Sequence, residues 1–189
     1  MIISNVNPWQ HEHNWMDYNE SLFWQKQIRE KTNWERPSIN FYGNNFKIPR
    51  LVKFFSENGI TYKYSGINHK GVGWPKWFSP LVNKINNYCE IDFNGCLLNL
   101  YRNGKDCMGW HSDNEPEINS GLPIVSLSLG ESRDLLFRDT SKTKREKILL
   151  SNGDLLIMNP TCQSDWQHSL PRREKIFNER INLTFRCYY

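Results

Sequence analysis

From residue 97 onward the chain breaks into short strand-like runs, and this constrains its architecture more than any other feature. The runs are Leu97–Arg102, Ile124–Leu129, Leu135–Arg138, Lys147–Leu150, Asp154–Met158 and Arg180–Cys187, separated by Gly, Asn, Asp and Pro. Helical signals come earlier. Residues 20–30 predict a helix with Ser21 as its cap and Trp24 and Ile28 four apart. After Trp74-Pro75, residues Trp77, Leu81, Ile85 and Tyr88 fall on one helical face, with Pro75 at its start. Ile39–Phe46 reads as strand, turn, strand around Gly43-Asn44-Asn45. Residues 1–20 show no period and are expected to wrap irregularly. Helices first and many strands afterwards imply a mainly β chain of the α+β kind, a barrel or jelly roll with helices outside.

At 189 residues the chain can bury one sizeable core. Aromatics make up 14% of it, with eight Trp, enough that some are expected to serve as surface tools. A net charge of +4 is compatible with an anionic partner without requiring one. The five cysteines form no CxxC pair and their number is odd, which argues against a disulfide framework and for a reducing compartment. Residues 1–15 lack the apolar core of a signal peptide, and no apolar run approaches the ~20 residues of a membrane span. The expected setting is cytoplasmic or nuclear.

His111-Ser112-Asp113 is followed 55 residues after Asp113 by His168, and then by Arg180 and Arg186. On a strand, residues i and i+2 project to one face, so His111 and Asp113 can reach one ion. Two imidazoles and a carboxylate are the facial ligand set of the non-heme iron oxygenases, which leaves positions open for a cosubstrate and O2. Zinc is the alternative metal for such ligands. Arg180, Asn182, Thr184 and Arg186 share a strand face. Two arginines inside a barrel are costly without an anion or an acidic partner. They match a dicarboxylate such as 2-oxoglutarate, which favours iron and an oxo acid.

Several segments in order carry a resemblance to a known family: Asn99-Leu100-Tyr101-Arg102, Gly109 to Glu115, Ser126 to Gly130 with Arg133-Asp134, Gly153 to Met158, Trp166 to Pro171, and Arg180 to Arg186. Together they resemble the AlkB family of Fe(II)/2-oxoglutarate-dependent dioxygenases, and most nearly its duplex-DNA repair branch. The similarity covers residues 38 to 187, so residues 1–37 are expected to form an N-terminal extension and 38–189 the dioxygenase domain. The resemblance implies a double-stranded β-helix core and, as cofactors, Fe(II), 2-oxoglutarate and O2. It implies that His111, Asp113 and His168 bind iron and that Arg180 pairs with one 2-oxoglutarate carboxylate. Asn99, Tyr101 and Asn182 would help hold the cosubstrate, with Arg186 near its other end. The implied activity is oxidative removal of methyl groups from 1-methyladenine and 3-methylcytosine in DNA, releasing formaldehyde and succinate.

The same resemblance assigns substrate contacts. Glu115 matches an acid that touches the damaged base, whereas Asn114 departs from a second acid often found there. Tyr62 and Tyr64 match aromatic positions of the base pocket, with Tyr64 stacking on the extruded base. Phe41 and Tyr42 fall at a hairpin tip that would wedge into the duplex, offsetting an unstacking cost of a few kcal/mol. The basic run 142–147 with Arg172, Arg173 and Lys175 would contact phosphates. His11 and His13 read as exposed residues without a metal role. The implied partner is alkylated DNA, with RNA as an alternative, and the implied state is a monomer. Rival readings are an oxygenase acting on RNA, protein or a small molecule, and a module that binds alkylated DNA without turnover.

Overall fold

Fourteen strands and three helices make up the described part of the computed structural model, which covers residues 7–41, 43–64 and 67–189. In chain order, β1 (Trp9–Glu12) precedes α1 (Tyr18–Lys31), then come the β2–β3 hairpin (Ser38–Phe41, Asn44–Lys47) and β4 (Leu51–Ser56). A second hairpin, β5 (Thr61–Tyr64) and β6 (Ile67–Lys70), leads to α2 (Ser79–Cys89). The rest is almost all strand: β7 (Gly95–Tyr101), β8 (Met108–His111), β9 (Ile124–Gly130), β10 (Arg133–Asp139), β11 (Arg145–Leu150) and β12 (Leu155–Met158). After the single turn α3 (Pro160–Asp165) come β13 (Trp166–Leu170) and β14 (Arg180–Arg186).

Two antiparallel sheets face each other as a jelly roll. The larger has the order β1-β12-β9-β14-β7-β4 and the smaller β11-β10-β13-β8. Alternation along the strands sorts the side chains. Leu98 and Leu100 of β7, Val125, Leu127 and Leu129 of β9, and Ile181, Leu183 and Phe185 of β14 point outward. There they pack with Trp24 and Ile28 of α1 and with Leu81 and Ile85 of α2. Each such side chain is worth roughly 1.5–3 kcal/mol when fully buried. The alternate residues of these strands point between the sheets, where Leu97, Tyr101, Leu135, Phe137, Met158 and Leu170 form a second cluster. α1 and α2 thus lie outside the larger sheet, and its inner face carries this second cluster together with the polar residues of the site.

Local details depart from expectation in four places. Asp17, not Ser21, caps α1: its carboxylate accepts from the Glu20 N–H (2.9 Å). Ser21 lies inside the helix, where its hydroxyl donates to the Tyr18 carbonyl. α2 begins at Ser79 with Pro80 in its first turn, because Pro75 heads a separate turn whose carbonyl accepts from Phe78 and Ser79. Trp77 therefore precedes the helix. Residues 9–12 form an edge strand paired with β12 rather than an irregular wrap. Trp9 is turned inward and stacks on Phe137 at 4.1 Å. Gly153 admits the segment that follows: its φ is +84°, and a Cβ there would lie 2.2 Å from the Met16 carbonyl oxygen. Finally, β8 ends at His111, so Asp113 sits in the loop beyond it.

Candidate metal centre and cosubstrate pocket

The β8–β13 pairing puts His168 directly opposite His111, with ring centroids 4.2 Å apart. The loop after β8 then folds Asp113 back, so that its Oδ1 lies 3.7 Å from His111 Nε2. Three contacts hold that loop. Ser112 Oγ donates to the Trp166 carbonyl (2.8 Å), the Asp113 N–H donates to Gln163 Oε1 (2.8 Å), and Arg186 Nη2 donates to Asp113 Oδ2 (2.7 Å). His111, Asp113 and His168 each bring one ligand atom within 4.8 Å of the others.

The protonation states suit a cation. Burial alone would raise the Asp113 carboxyl, but the charge of Arg186, then His168 and His111, outweighs it and holds the group well below the usual carboxylate range. Burial, then the neighbouring His111, brings His168 down to about 3, leaving a neutral imidazole as a metal requires. His111 is also lowered, chiefly by burial. Its Nδ1 lies 2.9 Å from the Gly109 carbonyl. A proton donated there leaves Nε2 as the free ligand atom. Asp113 Oδ1 is buried without a hydrogen-bond partner, a costly state for a carboxylate oxygen that a metal ion relieves. The residues fit Fe(II).

The inner face of β14 continues the site. Arg180, Asn182, Thr184 and Arg186 line one cavity with the triad and with Asn99 and Tyr101 of β7. Arg180 is 2% exposed. Its Nη2 donates to Ser128 Oγ and Asn182 Oδ1, both at 2.8 Å, and its charge lies 5.6 Å above the Tyr101 ring. Among the described residues no carboxylate pairs with it, and burial brings its pKa down to about 10. Arg186 differs: its charge is committed to Asp113, although it faces the same cavity.

On the proposed substrate side, Tyr62 is fully buried. Its hydroxyl donates to Glu115 Oε1 (3.3 Å), and its ring packs near Tyr188 at 5.0 Å. Burial, then the charge of Asp113, raises the Glu115 carboxyl, and its Oε2 is buried without a partner. Asn114 is exposed and borders a second cavity of about 450 Å³ on the other side of Asp113. The β2–β3 hairpin is present, with Gly43 at φ +79°, but Tyr42 and the side chains of Phe41 and Tyr64 lie outside the described residues. In the basic segments Arg173 and Lys147 are engaged by Asp134, whereas Lys142, Lys144, Arg145, Arg172 and Lys175 are exposed.

Several site residues carry no sequence signal. Arg50, 3% exposed, donates from Nε to Asn99 Oδ1 (2.8 Å). Gln163 positions Asp113 from α3. Trp110, beside His111, is 37% exposed and carries the Arg138 guanidinium 4.4 Å above its ring. Arg50 and Gln163 fall in no recognisable spacing and only the fold brings them to the triad, whereas Trp110 is placed by its neighbour His111.

Comparison with known proteins agrees with this geometry. A family model described as the 2OG-Fe(II) oxygenase superfamily matches residues 9–186. "DNA oxidative demethylase ALKBH2" of Mus musculus is 36% identical over 160 residues, 78% of this chain and 65% of that protein. "Alpha-ketoglutarate-dependent dioxygenase alkB homolog 3" of Homo sapiens is 34% identical over 184 residues, 92% of this chain and 64% of that protein. The chain thus spans less than two thirds of these relatives. A solved structure titled "The structure of OsALKBH1" superposes with a TM-score of 0.67 at 20% identity, covering 97% of this chain and 100% of that one, a likeness of fold. The chain belongs to the 2OG-Fe(II) oxygenase superfamily, whose cofactors are Fe(II), 2-oxoglutarate and O2.

Proposed function

We propose that the protein demethylates N-alkylated bases, 1-methyladenine and 3-methylcytosine, in DNA by direct reversal, releasing formaldehyde and succinate. One observation carries the oxygenase part of this reading: Arg180 is a buried guanidinium beside a His-Asp-His cluster, with no acidic partner among the described residues. Such a charge calls for an anionic ligand. The DNA part is supported by relatives named DNA oxidative demethylase.

His111, Asp113 and His168 would hold the iron. Once bound, Fe(II) with 2-oxoglutarate and O2 supplies the oxidation: one oxygen atom enters succinate as CO2 leaves, and the other enters the N-methyl C–H bond. Arg180 would pair with one carboxylate of 2-oxoglutarate, and Asn99, Tyr101 and Asn182 would help hold it. Arg186 keeps Asp113 ionised and fixed in orientation, and closes the near end of the cavity. Glu115, held by the Tyr62 hydroxyl, offers its unpartnered Oε2 to the damaged base. Tyr64 stacks on the extruded base, and Phe41 and Tyr42 fill the space it leaves in the duplex. Exposed Lys142, Lys144, Arg145, Arg172 and Lys175 contact phosphates. The N-hydroxymethyl product then collapses to formaldehyde and the restored base.

No helix among the described residues is long and apolar enough to cross a membrane. All five cysteines are free; relatives named DNA oxidative demethylase support a cytoplasmic or nuclear setting, and we infer that the protein acts as a monomer. The test is formaldehyde release from a 1-methyladenine oligonucleotide. His111→Ala and Asp113→Ala should each abolish it, and turnover retained in either would refute the assignment. Tyr42→Ala should impair duplex substrate more than single strands; equal losses would remove the wedge.

A further inference from the structure

We infer that His11, His13 and Asp154 form a second transition-metal site, of the zinc class, that fastens the N-terminal strand to the larger sheet. His11 lies on β1, His13 in the turn after it, and Asp154 just before β12, the strand with which β1 pairs. His11 Nε2 stands 2.9 Å and His13 Nδ1 3.8 Å from the same oxygen, Asp154 Oδ2. The two rings are 3.9 Å apart, and the three ligand atoms lie within 4.8 Å of one another. Around a tetrahedral zinc with bonds of about 2.0–2.2 Å, neighbouring ligand atoms are about 3.3 Å apart. The two observed separations bracket that value.

The carboxylate is preorganised. Asp154 Oδ1 accepts from the Asn14 N–H (3.0 Å), and Oδ2 from the Ser151 N–H (2.9 Å). Its side chain is 2% exposed, and among the described residues its only ion-pairing partners are the two histidines. Among the described residues no Lys or Arg pairs with this buried carboxylate, in contrast to Asp113, which has Arg186. A divalent cation would neutralise it. His13, 73% exposed, leaves the site open to water for entry and for a fourth ligand. A His11–Asp154 hydrogen bond alone would tie β1 down, but it gives no reason for a second imidazole aimed at the same oxygen. Imidazole donors suit zinc, copper and nickel. Among the described residues no arginine contacts His11, His13 or Asp154 to take an oxo acid, so the site fits a clamp rather than a second oxidation centre. The clamp acts on a strand that matters: Trp9 of β1 stacks on Phe137, whose ring lies 5.9 Å from that of His168.

The test is zinc stoichiometry of the metal-stripped full chain, read by elemental analysis after gel filtration and by competition with a chromophoric chelator. Wild type should bind two equivalents per chain, and His111→Ala/His168→Ala one. His13→Ala and His13→Asn change a side chain that is 73% exposed and meets the His11 ring; both should lose one equivalent while remaining folded by circular dichroism. In the His111→Ala/His168→Ala chain, zinc should raise the unfolding midpoint, and adding His13→Ala should remove that rise. Unchanged stoichiometry and affinity in the His13 variants, or no zinc retained by the His111→Ala/His168→Ala chain, would overturn the inference and leave His11–Asp154 as a structural hydrogen bond.

Discussion

Replacing Arg180 with Met separates a ligand clamp from a structural strut, because the two roles give different results for apoprotein stability and for 2-oxoglutarate binding. The side chain is buried, makes two hydrogen bonds through Nη2, and has no acidic partner among the described residues. Losing those two bonds from a charged donor costs about 3–6 kcal/mol at a net ~1.5–3 each. Against this, a guanidinium out of water carries a penalty of several kcal/mol, and replacing buried ions with apolar groups is often neutral or stabilising by about 1–4 kcal/mol. The two effects nearly offset, so metal-free Arg180→Met should stay within about 3 kcal/mol of wild type in urea. Binding of 2-oxoglutarate should collapse. Removing one partner of a buried charge pair costs roughly 2–5 kcal/mol, which at tenfold per ~1.4 kcal/mol is a loss of about 30- to 4,000-fold in affinity. The assays are urea unfolding of the apoprotein and calorimetric titration of the metal-loaded protein with 2-oxoglutarate. A variant less stable by more than about 3 kcal/mol with unchanged 2-oxoglutarate affinity would show that Arg180 is a strut.

Arg186→Met, by contrast, should lower stability: Asp113 would be left buried and unpaired, costing about 3–5 kcal/mol in the metal-free protein, and an unaltered urea midpoint would contradict the pairing. Gly153→Ala should destabilise by more than about 2 kcal/mol, since left-handed backbone alone costs roughly 1–2 kcal/mol and its Cβ would collide with the Met16 carbonyl; a near-neutral melting shift would refute the close approach. Burial would raise the Asp106 carboxyl, but hydrogen bonds from the Arg102 side chain and N–H outweigh it and lower the group. Its folded value lies below its unfolded one, so its contribution is present above the ordinary carboxylate range and is lost as pH falls through the lowered value. Thermal melts of wild type and Asp106→Asn should therefore differ at neutral pH and converge in acid, and a gap independent of pH would exclude this source.

What could be read from the chain depended on whether the information was local. β14 was legible because its outward Ile181, Leu183 and Phe185 alternate with inward Arg180, Asn182, Thr184 and Arg186 over a full strand, and the pocket lies on the inward set. The outside helices showed through Trp24 and Ile28 and through Leu81 and Ile85. β1 was illegible: four residues with one apolar side chain have no period, and only pairing with β12 makes them a strand. For the same reason His11 read as exposed, although it is half-buried against Asp154, 143 positions away. Asp113 was found by its spacing from His111, yet it sits beyond the strand end and owes its place to Gln163 and Arg186. Arg50 and Gln163 reach the site through the fold alone, which no motif records.

The decisive measurement is mass spectrometry of 1-methyladenine oligonucleotides, single-stranded and duplex, incubated with protein reconstituted anaerobically with Fe(II) and then exposed to O2 and 2-oxoglutarate. Loss of the methyl mass that requires both iron and 2-oxoglutarate, with matching succinate, is the expected result. Succinate formed while every methyl group stays in place would contradict the DNA assignment and leave an oxygenase with another substrate.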